Sequence, residues 1–401
     1  MNVLFLTSTF PRFAGDQQAP FVLEQARAWR AKRPLDKLFV LAPHDAGAER
    51  RETLDGIEIR RFRYMPSDKQ QTLAYPAILP NIRQNPWRIF QVLPFLWAQY
   101  AAAKSIARET EIDLVYAHWV MPQGLVALAL DRFCRLPYVL QNHSSDLSVF
   151  TKFGLPGRHM ARAVLQRAGI FFCVNSEQKT FAESLLPDIR CHVLPMGVSL
   201  DLARAVKDQS LQDAKYAVAT ISRLSKKKGI QHLIDAAEVL AKNGQVFPLG
   251  IAGDGEDAEE LRTRPTHADV HFTGFLSGTE KAEFFGHSFA MAFPSVNAAG
   301  DVEGMPVALL EALTSGKPTI ASKATNIELL PEWPEIREDV ELLEDPSDTM
   351  AFAQAIERTL NLTPTQAQAR SERLRRAMGG VTWDRLIEKY LRVIDNFSSG
   401  R

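Results

Sequence analysis

The chain has 401 residues, more than one ordinary core accommodates, so two domains are expected. Its composition is that of a soluble globular protein, and its net charge is zero. The balance is uneven: residues 1–200 carry 24 Lys and Arg against 17 Asp and Glu, whereas residues 201–401 carry 23 against 30. The basic first half is either a set of solvated faces or a surface that meets something anionic, such as a membrane or a phosphorylated acceptor. Nucleic acid is not an expected partner.

In chain order, Met1-Asn2-Val3-Leu4-Phe5-Leu6 runs directly into a first strand, with no basic leader or cleavage site, so no signal peptide is expected. Strands are predicted at residues 3–8, 38–42, 57–61, 114–117, 137–141, 170–174 and 191–194. Helices are predicted at 21–32, 95–109, 123–134, 157–166 and 177–185. The stretch from Ile89 to Ala103 is the longest apolar one, but Gln91, Pro94 and Gln99 interrupt it, so it does not span a bilayer. Cys134, Cys173 and Cys191 have no metal-ligand spacing, which fits a reducing, cytoplasmic compartment.

A linker is placed after Pro195-Met196-Gly197-Val198. A second alternating series follows, with strands at 217–221, 249–252, 270–273, 289–293 and 319–321. Its helices fall at 230–241, 257–262, 278–285, 306–314 and 350–360. The amphipathic segment 383–396 ends the pattern. Alternation of this kind predicts α/β architecture with two doubly wound, Rossmann-like domains, 1–197 and 198–382, and a ligand cleft between them.

Two segments carry the chemistry. In Asp301-Val302-Glu303-Gly304-Met305-Pro306-Val307-Ala308-Leu309-Leu310-Glu311, Pro306 suits the first turn of a helix, which puts Glu303 before the helix and Glu311 inside it. The helix start offers free N–H donors to a phosphate, and paired carboxylates suit hydroxyls, so a nucleotide sugar fits. In Ser222-Arg223-Leu224-Ser225-Lys226-Lys227-Lys228-Gly229, the loop is either solvated or a cationic grip on a departing diphosphate. Gly253-Asp254-Gly255-Glu256-Asp257-Ala258 fits the relaxed dinucleotide pattern. However, it lies in the second βα unit of its half, and no acidic residue clearly ends the next strand, which argues against nicotinamide. With no Asp-x-Asp present, no essential metal and no cofactor beyond the nucleotide sugar are expected.

Together these segments resemble the family 4 retaining glycosyltransferases, of group 1 type. Residues 222–229 are similar to that family's Gly-Arg-Leu-x-x-x-Lys-Gly signature, and Glu303 and Glu311 to its Glu-x7-Glu motif. Ile251-Ala252-Gly253-Asp254-Gly255, Val270-His271-Phe272-Thr273-Gly274 and Glu311-Ala312-Leu313 match as well. Looser matches precede them at Phe10-Pro11 with Gly15, Ala117-His118-Trp119 and Gln141-Asn142-His143-Ser144-Ser145-Asp146.

The resemblance implies the GT-B fold, with the helix at 383–401 packing back on the first domain. It implies a sugar moved from a nucleotide-diphosphate donor to an acceptor hydroxyl with retention, in polysaccharide or lipid-linked glycan synthesis. Arg223, Lys228, Gly304, Met305, Pro306, Val307 and Glu311 would bind the donor, with Gly15 approaching it. His143 and Glu303 would act at the transferred sugar. His118 and Asp146 would line the acceptor side. The chain departs from the pattern at Ser222, Ser144 and Met196, and Ala324-Thr325-Asn326-Ile327-Glu328 replaces Gly-Gly-x-x-Glu. The altered 324–328 loop leaves a non-catalytic nucleotide-sugar-binding or scaffold subunit open, and a same-fold epimerase is a further alternative.

One more segment stands apart. Tyr75–Trp97 is apolar, aromatic and basic. Its side chains either pack against the first domain, the commoner fate of such stripes, or touch a lipid surface or lipid-linked acceptor at the inner membrane face.

Overall fold

The computed structural model describes residues 1–13, 16, 20–143, 147, 150, 153–199, 210–297 and 305–399. The chain divides into two compact units, Met1–Pro195 with Leu386–Arg401, and Met196–Arg385.

The first unit holds an eight-stranded sheet in the order β3-β4-β2-β1-β5-β6-β7-β8. The strands are β1 (Asn2–Leu6), β2 (Lys37–Pro43), β3 (Arg51–Leu54), β4 (Ile57–Phe62), β5 (Leu114–His118), β6 (Tyr138–Gln141), β7 (Ile170–Cys173) and β8 (Cys191–Val193). All neighbours are parallel except β3 and β4. The central strands read as unbroken apolar runs because helices cover both faces of a parallel sheet, so every side chain of β5, β6 and β7 is buried.

The polar edge strand β3 has no apolar alternation and was not expected. It pairs with β4 across Asp55 (φ 53°) and Gly56 (φ 75°), a two-residue turn with both central residues left-handed.

The second unit holds a six-stranded parallel sheet, β11-β10-β9-β12-β13-β14. Its strands are β9 (Tyr216–Ile221), β10 (Pro248–Ala252), β11 (Asp269–Gly274), β12 (Ser288–Phe293), β13 (Thr319–Ser322) and β14 (Val340–Leu343). The order runs outward from β9 in one direction through β10 and β11, then reverses through β12, β13 and β14. Such a reversal opens a crevice beyond the carboxyl ends of β9 and β12. In the first unit the same reversal falls between β1 and β5.

The helix Trp383–Ser399 begins in the second unit and continues as part of the first. Leu386, Ile387, Tyr390, Leu391 and Ile394 form its buried stripe at helical spacing. Tyr390 lies 4.8 Å from Phe172 between ring centroids. Phe397 covers Gly169, where an added Cβ would stand 2.1 Å from the Phe ring.

The helix Val92–Glu109 turns Phe95, Gln99, Ala103 and Ile106 inward. Trp87, Ile89, Phe90, Leu93 and Trp97 point into solvent. The stripe therefore divides: Tyr75, Ile78, Ile82, Val92, Phe95 and Leu96 pack against the first unit's core, as the commoner expectation has it, whereas these five side chains do not. Among the described residues, no helix is long and apolar enough to cross a membrane.

Candidate functional site

In the second unit, the residues leaving β9 are held by close backbone approaches. Gly253 adopts φ +129°, and a Cβ there would stand 1.8 Å from the Ser222 carbonyl oxygen. At Gly255 a Cβ would stand 2.3 Å from the Leu224 carbonyl oxygen. The Leu224 N–H donates to Asp254 (2.9 Å), and the Asp257 N–H donates to Leu224 (3.0 Å). The two glycines of the dinucleotide-like pattern are thus explained by packing against residues 222–224.

A single 3-10 turn, Lys226–Lys228, follows, and Gly229 (φ +65°) leads into the helix Ile230–Lys242. A Cβ at Gly229 would stand 1.9 Å from the Pro294 carbonyl oxygen. The Val296 N–H donates to Lys227 (2.8 Å). The cationic loop is therefore laced to the segment leaving β12, across the point where the strand order reverses. Arg223, about half exposed, donates from Nε to Glu256 Oε2 at 2.9 Å.

On the other side of that point, the helix Val307–Thr314 starts one residue later than expected. Pro306 (φ −63°, ψ 126°) is its N-cap and lies outside the first turn. Its carbonyl accepts from Leu309 (3.0 Å) and Leu310 (3.3 Å), and among the described residues no side chain caps the start. The N–H groups of Val307 and Ala308 precede the helix's own ladder. Met305 packs on the unit's core.

Glu311 lies one turn further in and is buried. Its Oε1 accepts from Lys281 Nζ at 2.6 Å, while Oε2 has no hydrogen-bond partner among the described residues. Burial lifts its pKa above the usual carboxylate range, and Lys281 works against that rise. Lys281 carries no sequence signal of this role, since nothing local ties it to a carboxylate thirty residues away. In the altered loop, Ala324 and Thr325 sit in a 3-10 turn, and only Asn326 (φ 60°) is left-handed. The family's glycines are not required by that backbone.

In the first unit, His118 ends β5 and His143 follows β6 by two residues. Their rings stack, with centroids 5.2 Å apart and planes 9° apart, and His118 Nδ1 lies 3.0 Å from His143 Nε2. Phe21 and Trp119 lie 4.8 and 4.9 Å from the His143 ring. Trp119 holds φ +72°, an uncommon conformation for a bulky residue. Burial drives the pKa of His143 down to about 3, and drives His118 well below its ordinary value with His143 adding to the effect.

Both rings are therefore neutral, and one proton lies between the facing nitrogens. The outer nitrogens, His118 Nε2 and His143 Nδ1, are buried and unpartnered among the described residues. Whichever ring donates inward, the outer pair presents one donor and one acceptor.

Two residues before His143, Gln141 accepts from Tyr116 (2.6 Å) and Gln25 (3.1 Å), and donates to Tyr390 (3.0 Å). Tyr390 donates in turn to the Leu194 carbonyl at 3.1 Å.

The structure thus gathers Arg223 and Lys228 on one loop, Met305, Pro306, Val307 and Glu311 around one helix start, and His118 with His143. Gly15, Asp146, Glu303 and Gly304 lie outside the described residues.

Two family models match the chain: Glycosyltransferase Family 4 over residues 19–202 and Glycosyl transferases group 1 over residues 203–376. A Bacillus subtilis protein named provisionally as the teichuronic acid biosynthesis glycosyltransferase TuaC is 25% identical over 293 residues, covering 71% of this chain and 70% of that one. The alpha-monoglucosyldiacylglycerol synthase of Streptococcus pneumoniae is 22% identical over 282 residues, covering 65% of this chain and 63% of that one. The catalytic domain of starch synthase IV from Arabidopsis thaliana, bound to ADP and acarbose, superposes with a TM-score of 0.65 at 12% identity, over 99% of both chains. That likeness gives the fold, GT-B.

Proposed function

Because the chain belongs to the group 1 glycosyltransferases of family 4, we propose that it moves a sugar from a nucleotide-diphosphate donor to an acceptor hydroxyl with net retention. The observation that carries this reading is Glu311. It has a buried carboxylate with one oxygen fixed by Lys281 and the other unpartnered among the described residues, near the start of the helix Val307–Thr314 at the strand reversal. A buried acceptor without a donor is costly, and a pair of ligand hydroxyls relieves it.

In this reading the donor diphosphate is bound by Arg223, Lys228 and the N–H groups at the start of the helix Val307–Thr314. These neutralise the charge that develops as the sugar departs. Arg223 exchanges Glu256 for phosphate oxygens, to which a guanidinium can bond in two places at once. The ribose hydroxyls go to Glu311. From the first unit, His143 meets the transferred sugar, and His118, in contact with it, lines the acceptor side with Asp146. Glu303 is assigned to the transferred sugar, and Gly15 and Gly304 to close backbone approach. Fixed cations do the work of a metal, so the reaction is proposed to need none.

The acceptor is a growing polysaccharide or a lipid-linked glycan. The names of relatives in teichuronic acid and diacylglycerol glucoside synthesis support that class. The reading puts the enzyme in the cytoplasm, at the inner membrane face.

The test is a thermal-shift screen with UDP-, GDP- and TDP-sugars, followed by transfer assays with the stabilising donor. One donor should raise the unfolding midpoint, and Glu311→Gln should abolish that rise. If no nucleotide sugar stabilises the chain, the reading is wrong. Product formed from donor alone, with the sugar epimerised, would point to an epimerase.

A further inference from the structure

One face of the first unit is apolar where it meets water. Leu93 and Trp97 on the helix Val92–Glu109 are 75% and 71% exposed, opposite the side that buries Phe95, Gln99, Ala103 and Ile106. On the preceding turn, Pro86–Gln91, Trp87 and Phe90 are 76% and 68% exposed, with rings stacked 5.8 Å apart. Positions 87, 90, 93 and 97 recur at helical spacing, so they form one stripe. Burying each of these side chains is worth about 1.5–3 kcal/mol, which the isolated chain forgoes.

Between Asp68 and Glu109 the sequence that carries the stripe has charge of one sign. From Lys69 to Arg108 the sequence holds five basic residues, Lys69, Arg83, Arg88, Lys104 and Arg108, and no Asp or Glu. The Arg88 guanidinium is held by Asn81 and Gln84 oxygens. Tryptophan and phenylalanine beside cations match the interface of a negatively charged bilayer, where rings sit at headgroup level and cations meet lipid phosphates. A second copy is a poor occupant, because a two-fold contact would set this basic stretch against itself.

We propose that this face docks the first unit on an anionic lipid bilayer, with Trp87, Phe90, Leu93 and Trp97 entering the headgroup region. The proposal rests on the membrane-face part of the proposed function and is independent of the transfer chemistry, so the two can fail separately.

The experiment is co-sedimentation of the full chain with phosphatidylglycerol–phosphatidylethanolamine vesicles and with phosphatidylcholine vesicles. It compares the wild type with a variant carrying Trp87→Gln, Phe90→Gln, Leu93→Gln and Trp97→Gln. Wild type should partition at least about tenfold more onto the anionic vesicles, weaken with added salt, and lose about tenfold or more in the variant. The variant should keep its unfolding midpoint and its donor-induced shift. If it fails to fold, Leu93→Gln and Trp97→Gln alone decide, each being expected to weaken partition.

Absence of anionic binding, equal binding to phosphatidylcholine, or unchanged binding in the variants would overturn the proposal. So would a wild-type dimer that the variant dissolves, because a second copy would then occupy the face. Vesicle binding without any donor response would instead remove the transfer reading and leave docking intact.

Discussion

His118 Nδ1 and His143 Nε2 meet at 3.0 Å between stacked, neutral rings, and a proton added to either imidazole would put a charge in a site closed to water. The folded pKa of each lies below the unfolded value, to about 3 for His143. Between about pH 6.5 and 3 the unfolded chain therefore binds more protons, and stability falls as pH falls. The slope is up to about 1.4 kcal/mol per pH unit for each histidine. Denaturation midpoints of the wild type and of His118→Gln/His143→Gln, measured from pH 7 to pH 5, should show a shallower acid dependence in the variant. Parallel curves would mean that the pair does not titrate as described.

Lys281 and Glu311 give the opposite sign. Glu311 is raised above the usual carboxylate range, so the folded state holds its proton to higher pH than the unfolded chain does. Stability through this group is lost as pH rises through that window. Lys281→Met removes the charge that counters burial and should cost about 3 kcal/mol at neutral pH, read from urea unfolding. Part of the loss should return as pH is lowered towards 5, as the buried carboxyl takes up a proton. A loss that grows on acidification would contradict the pairing.

Gly229 tests the lacing of the cationic loop. Alanine there meets the Pro294 carbonyl oxygen at 1.9 Å and must also adopt φ +65°. Gly229→Ala should destabilise the second unit by roughly 2 kcal/mol or more. It should also weaken the donor-induced thermal shift, since Lys228 moves with the turn. Gly244→Ala, at a similar φ but with open space around it, should cost less.

Tyr390→Phe removes the hydroxyl that accepts from Gln141 and donates to the Leu194 carbonyl. With apolar packing kept, the expected cost is about 1–2 kcal/mol in the first unit, and guanidinium titration followed in that unit checks it. Because Gln141 precedes His143 by two residues, a fall in kcat should accompany the lost stability.

Much of the fold was legible because parallel strands buried on both faces write themselves as short apolar runs. Ser288–Phe293 and Leu114–His118 stand out in this way, and the helix Gln123–Cys134 falls where its pattern put it. The edge strands β3 and β14 were not legible: β3 is largely exposed and has no apolar alternation, and β14 is only four residues long, with Glu341 inside its apolar run. The Asp55-Gly56 pair before Ile57 was the usable hairpin signal.

At the site, motif spacing gave Arg223, Lys228 and Glu311, but it gave no partners. Lys281 for Glu311 and Glu256 for Arg223 come from other elements, and only the strand order brings them together. The stacking of His118 on His143 follows from β5 and β6 being neighbours, which no local pattern encodes. The outward set Trp87, Phe90, Leu93 and Trp97 was likewise indistinguishable from core by periodicity alone.

The segment from Leu386 onward belongs with Met1–Pro195, and 190 residues of other structure, Met196–Arg385, intervene. A ribosome adding roughly 5–20 residues per second would deliver that closing segment on the order of ten to forty seconds after the rest of its unit has emerged. Throughout that interval Gly169, Phe172 and Gln141 wait without Phe397 and Tyr390. The earlier-made half of this polypeptide is therefore the later one to mature, and stalled nascent chains ending before Leu386 should remain protease-sensitive there.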